Sequence, residues 1–193
     1  MFIMKRLLLI LVLTFSLQTL SKGDDIRNFQ IEGMSIGDSL LNFYSKDKVK
    51  SFIQKKQYPN SQRVKMYLIK DKKFTTYNYV AVDVVDDGNY KILKIAGQII
   101  YKDNIKDCYK KMNEIDIDLK MLFTDKNRFT GEKKHRADKS GKSMMRVIGY
   151  GIKDDDINIQ CTDWSDEMNI SDRLNLMLMT KEWQKFIDNE AYN

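Results

Sequence analysis

FTTYNYVAVDVVDDGNYKILKIAGQIIY, residues 74–101, is the stretch that decides the fold. Val, Ile and Tyr crowd two runs, 74–85 and 90–101, separated by Asp86-Asp87-Gly88-Asn89. Such residues suit a pleated, half-buried surface. The Asp-Gly pair suits a two-residue type I′ turn, which joins antiparallel strands. With that turn Val80, Val82 and Val84 share a sheet face with Leu93, Ile95 and Ile99. Tyr77, Tyr79, Lys94 and Gln98 then take the opposite face, because side chains alternate along a strand.

Outward from this hairpin, residues 62–69 read as a further strand. Upstream, Ser35-Ile36-Gly37-Asp38 fits a capping box before a short helix with Leu40, Leu41 and Tyr44. Ser45 caps a second short helix, and Tyr58-Pro59-Asn60 ends that region. Downstream, Ile105, Cys108, Met112, Ile115, Leu119 and Leu122 recur at spacings of three and four, with Asp103 as N-cap. That spacing predicts an amphipathic helix over 104–122. Residues 124–143 are basic, hold almost no apolar side chain and read as a mobile loop. Strands resume at 144–152 and 157–162, turning at Asp154-Asp155-Asp156. A strand at 173–179 follows, although LNLMLM also fits a helix. Thr180 caps a last helix carrying Trp183, Phe186 and Ile187. The class is α+β, an antiparallel sheet with helices on one face, in the order αα-βββ-α-βββ-α.

Twenty-odd leading residues stand apart. Lys5 and Arg6 precede an apolar run, Leu7 to Leu17, and Thr19-Leu20-Ser21 offers a cleavage site after Ser21. The run is short beside the roughly 20 residues that span a bilayer. The expectation is a signal peptide at 1–21 and one domain at 22–193; an uncleaved anchor is the other reading. Without Lys5 and Arg6, the 33 basic residues of the chain become 31 against 27 acidic ones. This charge is mild and dispersed, so nucleic acid is not an expected partner. Membrane contact is expected only through an uncleaved leader.

The chemistry-bearing residues are few. His135 is the one histidine, set in a Lys-Lys-His-Arg run that offers no frame for a Ser–His–Asp site. One His and two distant Cys give no zinc spacing. Ser-Gly-Lys-Ser at 140–143 lacks the earlier glycine of a phosphate loop, and Asp154–Asp156 lacks the spacing of a calcium loop. No cofactor is implied. Cys108 sits on the apolar helix stripe and Cys161 alternates with Ile157 and Ile159. In an exported chain a helix-to-sheet disulfide follows, with two buried thiols as the alternative. Tyr77, Tyr79 and Lys94 are the candidate partner-binding face. Lys133, Lys134 and Arg136 are the candidate anion-binding loop.

Ile31-Glu32-Gly33-Met34-Ser35-Ile36-Gly37-Asp38-Ser39-Leu40-Leu41, with Cys108-Tyr109-Lys110-Lys111 after Ile99-Ile100-Tyr101, resembles a group of uncharacterised exported proteins of small AT-rich bacteria. The likeness implies an envelope location and supplies no activity to carry over. Gly33-Met34-Ser35 ahead of a short helix pair and a meander is also similar to the SmpA/OmlA outer-membrane-assembly lipoproteins, whose lipid-bearing Cys is missing here. The expected function is a non-catalytic binding or interaction protein of the cell envelope, periplasmic or secreted, with an envelope protein or polymer as partner. The alternatives are a small exported hydrolase using Asp/Glu carboxylates and an anion-binding protein using the basic loop.

Overall fold

The structure, a computed structural model, describes residues 25–54, 57–102, 104–123 and 127–192. The leader, the Asp103 cap and the first residues of the basic segment lie outside them. The strands are β1 (Val64–Ile69), β2 (Tyr79–Val85), β3 (Ile92–Tyr101), β4 (Arg128–Lys134), β5 (Met144–Ile152), β6 (Asp155–Asp163) and β7 (Asp172–Met179). The helices are α1 (Lys46–Ser51), α2 (Ile105–Leu122) and α3 (Lys181–Asn189). One antiparallel sheet results, in the order β1-β2-β3-β7-β6-β5-β4. It is two meanders whose last strands, β3 and β7, lie side by side. Helix α2 carries the chain from the middle of the sheet to its far edge.

The long helix forms where its spacing predicts, capped by the Asn104 side chain, which accepts from the Asp107 N–H. Cys108, Met112 and Leu119 point into the sheet and meet Val80, Val82, Val84, Ile95, Ile148, Ile157, Ile159, Leu174 and Leu178. Each such side chain contributes about 1.5–3 kcal/mol when withdrawn from water. The segment before β1 extends the same layer through Ile26, Ile31, Met34, Leu40 and Val49. Cys108 and Cys161 are bonded, with Cα atoms 6.0 Å apart, tying α2 to β6.

Five expectations change. The capping box at Ser35 is a turn: Asp38 accepts from the Ser35 N–H, but the single helical turn at Leu40–Asn42 is capped by Ser39. The turn after β2 runs over five residues, closed by the Val85 N–H on the Lys91 carbonyl. A bulge opposite Asp83 and Val84 then inserts Leu93, so Ile92 and Ile95 face α2 while Leu93 turns away. Helices cover both faces. Phe186 and Trp183 of α3 pack on Val64, Met66, Val85 and Leu93, on the side opposite α2. The physical reason is that β1–β3 are apolar on both sides, and one helix layer buries only one of them. Lastly, residues 128–134 of the basic segment are an edge strand, so the second meander has four strands.

Candidate functional site

The predicted partner face does not assemble. Tyr77 lies before β2, where the Asn78 side chain takes the Ile100 N–H and the chain leaves the ladder. Glu32 then accepts from the backbone N–H groups of Thr75, Thr76 and Tyr77. This pins the Tyr77 ring over Gly97 on the α2 side, 2.5 Å from where a Cβ would stand. Tyr79 is on the α3 side, with the Lys70 ammonium 5.3 Å from its ring centre. Lys94 shares that side but lies beneath α3. Its Nζ is 3.0 Å from the fully buried Asp83 and 5.0 Å from the Trp183 ring centre. Burial and the Asp83 charge push the nearby Tyr58 hydroxyl above its ordinary pKa.

The basic cluster is divided as well. Lys133 and Lys134 alternate to opposite faces of β4, and the Lys134 side chain lies against Gly141. The Arg136 guanidinium sits 4.4 Å from the ring centre of Tyr192, in the tail after α3. The tip between β4 and β5 is therefore docked. Asp138 clamps it, accepting from the Ser143 N–H at 2.8 Å and hydroxyl at 2.6 Å, and from the Ser165 hydroxyl at 2.9 Å. The Ser143 hydrogen bond, with those of Ser140 and Ser165, holds the Asp138 carboxyl well below its usual range. The Ser143 hydroxyl is fully buried and spent on Asp138, which is a turn lock rather than an exposed nucleophile. His135 stacks on Trp164 at 4.2 Å, and its Nδ1 accepts from the Ala137 N–H. Burial, then the charges of Arg136 and Arg173, lower its pKa.

Asp116, Asp154, Asp155 and Asp156 each have their own partners and do not pair with one another. Asp116 accepts from Arg128 at 2.8 and 3.0 Å and from the Tyr150 hydroxyl at 2.5 Å, with Lys120 at 3.1 Å. Burial opposes its ionisation, but the Arg128, Tyr150 and Lys120 hydrogen bonds outweigh that and hold it at about 2. Asp154 pairs with Lys181, and Asp155 caps the start of α3 through the Lys181 N–H. Burial raises the Asp156 carboxyl, which accepts from Gln184. Among the described residues no three His, Cys, Asp or Glu gather as metal ligands, and no helix is long and apolar enough to cross a membrane.

What the fold does bring together is a row of amides. Helix α3 covers only the β1–β3 end of its face. Beyond it, Gln98 of β3, Asn175 of β7 and Gln160 of β6 stand directly opposite one another across three strands. Directly opposed side chains on a face are about 4.5–5.5 Å apart at Cβ. Asn158 and Met177 fill the row on one side of it, Thr162 and Arg173 the row on the other. Asn175 is 8% exposed, yet its amide makes no hydrogen bond to a described residue. Buried atoms Asn158 Oδ1, Arg173 Nε and Trp164 Nε1 likewise have no partner among the described residues. Buried polar atoms are paired in the great majority of cases, so these three orphans beside α3 are a departure from the norm. Aromatic rings border the row. Phe129, 46% exposed, lies over Gly149 beside the Asn158 carbonyl. Trp164 lies against Arg173, and Tyr79 stands at the β2 end.

Of these residues, alternation alone places Tyr79 and Gln98. The polar positions 158, 160 and 162 alternate with Ile157, Ile159 and Cys161, which was the available signal for the rest. No family model, curated protein or solved structure matches the chain.

Proposed function

We propose that this chain is a non-catalytic binding module of the cell envelope that engages its partner through the part of the sheet face left open beside α3. The observation that carries the reading is the set of unpaired, buried polar atoms at Asn158, Arg173 and Trp164, next to the Gln98–Asn175–Gln160 row. Leaving a buried donor or acceptor unmade costs about 1–3 kcal/mol each. A fold that keeps several on one face, beside the exposed Phe129 ring, holds a surface prepared for a partner.

Two further facts support the reading over its rivals. The carboxylates of Asp116, Asp138, Asp155 and Asp156 are each tied to a cation, a hydroxyl or an amide donor, which favours a structural use of them over a catalytic pair. The cations of the hairpin tip point to separate partners, which disfavours a single anion site. The disulfide and the apolar leader favour an exported location. A photo-crosslinking residue at Gln98, compared with one at Lys110 on the outer face of α2, tests the proposal in the native envelope. Discrete adducts from position 98 and none from 110 are expected. Adducts from 110 alone place the binding surface elsewhere.

A further inference from the structure

We infer that the ligand of this face is an uncharged, hydroxyl-rich polymer, a glycan chain, held by the Gln98–Asn175–Gln160 row. This inference rests on the binding-face reading above and names the chemistry of its occupant.

Three properties of the face select that chemistry. The first is the donor and acceptor balance. A side-chain amide offers two donors and an acceptor with two lone pairs. A sugar hydroxyl is also both donor and acceptor, so amides and hydroxyls pair without a fixed polarity. In the row, the Gln160 nitrogen is spent on Thr162 at 3.1 Å and Met145 at 3.3 Å. The amides of Gln98 and Asn175 make no hydrogen bond to a described residue.

The second is charge. No carboxylate lies among Asn158, Gln160, Thr162, Arg173, Asn175, Met177 and Gln98, and Arg173 is the one cation among them. A polyanion calls for several converging cations; here Lys133 and Arg173 stand in the Thr162 row at the margin, Arg136 is stacked on Tyr192, and the Gln98–Asn175–Gln160 row itself carries no charge. A neutral polymer matches this floor.

The third is position. An extended peptide is usually taken at a sheet edge, where backbone groups are free. The row is in the middle of the sheet, where the β3, β7 and β6 ladders use those groups on each other. Only side chains are on offer, and rings flank them. Phe129 covers Gly149 and the Asn158 carbonyl, so rotation of one half-exposed ring uncovers an unpaired acceptor and a flat, side-chain-free floor. The exposed Phe129 presents an apolar ring of the kind that suits the C–H face of a sugar, whereas the Trp164 and Tyr79 rings already carry His135 and Lys70.

The experiment is a titration of the oxidised protein followed through its side-chain amide NMR signals. The probes are a tetramer of N-acetylglucosamine, a tetramer of glucose and a capped neutral octapeptide of Thr and Val. The expected result is movement of the Gln98, Asn175 and Gln160 amide signals with at least one saccharide. Gln98→Ala and Asn175→Ala should each raise that Kd about tenfold, the equivalent of one lost polar contact. Lys110→Ala should leave it unchanged. Should Asn175→Ala fail to fold, Gln98→Ala alone carries the comparison. Stationary amide signals with both saccharides overturn the glycan inference. If the octapeptide moves them, or position 98 crosslinks an envelope protein, the binding face survives with a different occupant. If neither happens, the face itself is rejected.

Discussion

The two faces of the sheet are built on opposite plans. Under α2 the buried side chains are predominantly apolar, and the buried Asp116 carboxylate is held by Arg128, Tyr150 and Lys120. On the α3 side, a small apolar patch around Phe186 gives way to a polar face on which Asn158 Oδ1, Arg173 Nε and Trp164 Nε1 lack partners among the described residues. The contrast separates two tasks that one sheet performs. Fold stability resides on the first face, and the second carries polar groups that do nothing for the isolated chain.

If that division holds, the largest effects of substitution fall on the α2 side. Cys108→Ser or Cys161→Ser opens a loop with a sequence separation of 53. Chain entropy puts the loss at about 4 kcal/mol, read as a lower denaturant midpoint with the sheet retained. A loss below about 1 kcal/mol would mean that α2 is held by packing alone.

Asp116→Ala comes next. It leaves Arg128 without its partner and the Tyr150 hydroxyl without an acceptor, at a cost of about 3 kcal/mol. The same carboxylate sets an acid limit. Its pKa of about 2 lies below the roughly 3.9 of an unfolded aspartate. Its contribution is therefore whole above pH ~4 and is lost as the pH falls towards 2. In Asp116→Asn that part of the acid-unfolding curve should flatten. An unchanged curve would assign the acid sensitivity to other groups.

A local effect is expected at the hairpin tip. Residues 135–143 are basic, but the Asp138 clamp and the Arg136–Tyr192 stack hold them. Trypsin should spare Arg136 and Lys139 in the native protein and cut there first in Asp138→Ala. Early cutting in the unaltered protein would show that the clamp is open in solution.

How much of this the sequence shows can be said element by element. The strands β1–β3, the helix α2, the Thr180 cap and the disulfide are legible because each rests on a periodic pattern or a residue count. Strand β4 is not, since RFTGEKK lies at the sheet edge, where only the β5 ladder selects it and no apolar alternation is needed. The second helical layer is hidden by one bulged residue, Leu93, which breaks the alternation that the hairpin promised. For the candidate site, Tyr79 and Gln98 follow from alternation, whereas Tyr77 is moved by long-range hydrogen bonds from its backbone to Glu32. Asn175 interrupts an apolar run as an ordinary polar residue would, and only the register with Gln98 and Gln160 gives it company.

The smallest effect on stability should come from the amide row, and it is the sharpest separation of the two faces. Asn175→Leu and Gln98→Leu replace unpaired polar groups by apolar ones of similar size, a change that is nearly neutral or stabilising when no hydrogen bond is lost. The decisive measurement is therefore made on one doubly substituted chain, carrying Asn175→Leu and Gln98→Leu. Its unfolding free energy and its co-sedimentation with native envelopes are read side by side. The account predicts stability within about 1 kcal/mol of the parent and loss of envelope binding. A chain that is strongly destabilised, or one that binds the envelope as before, would contradict it.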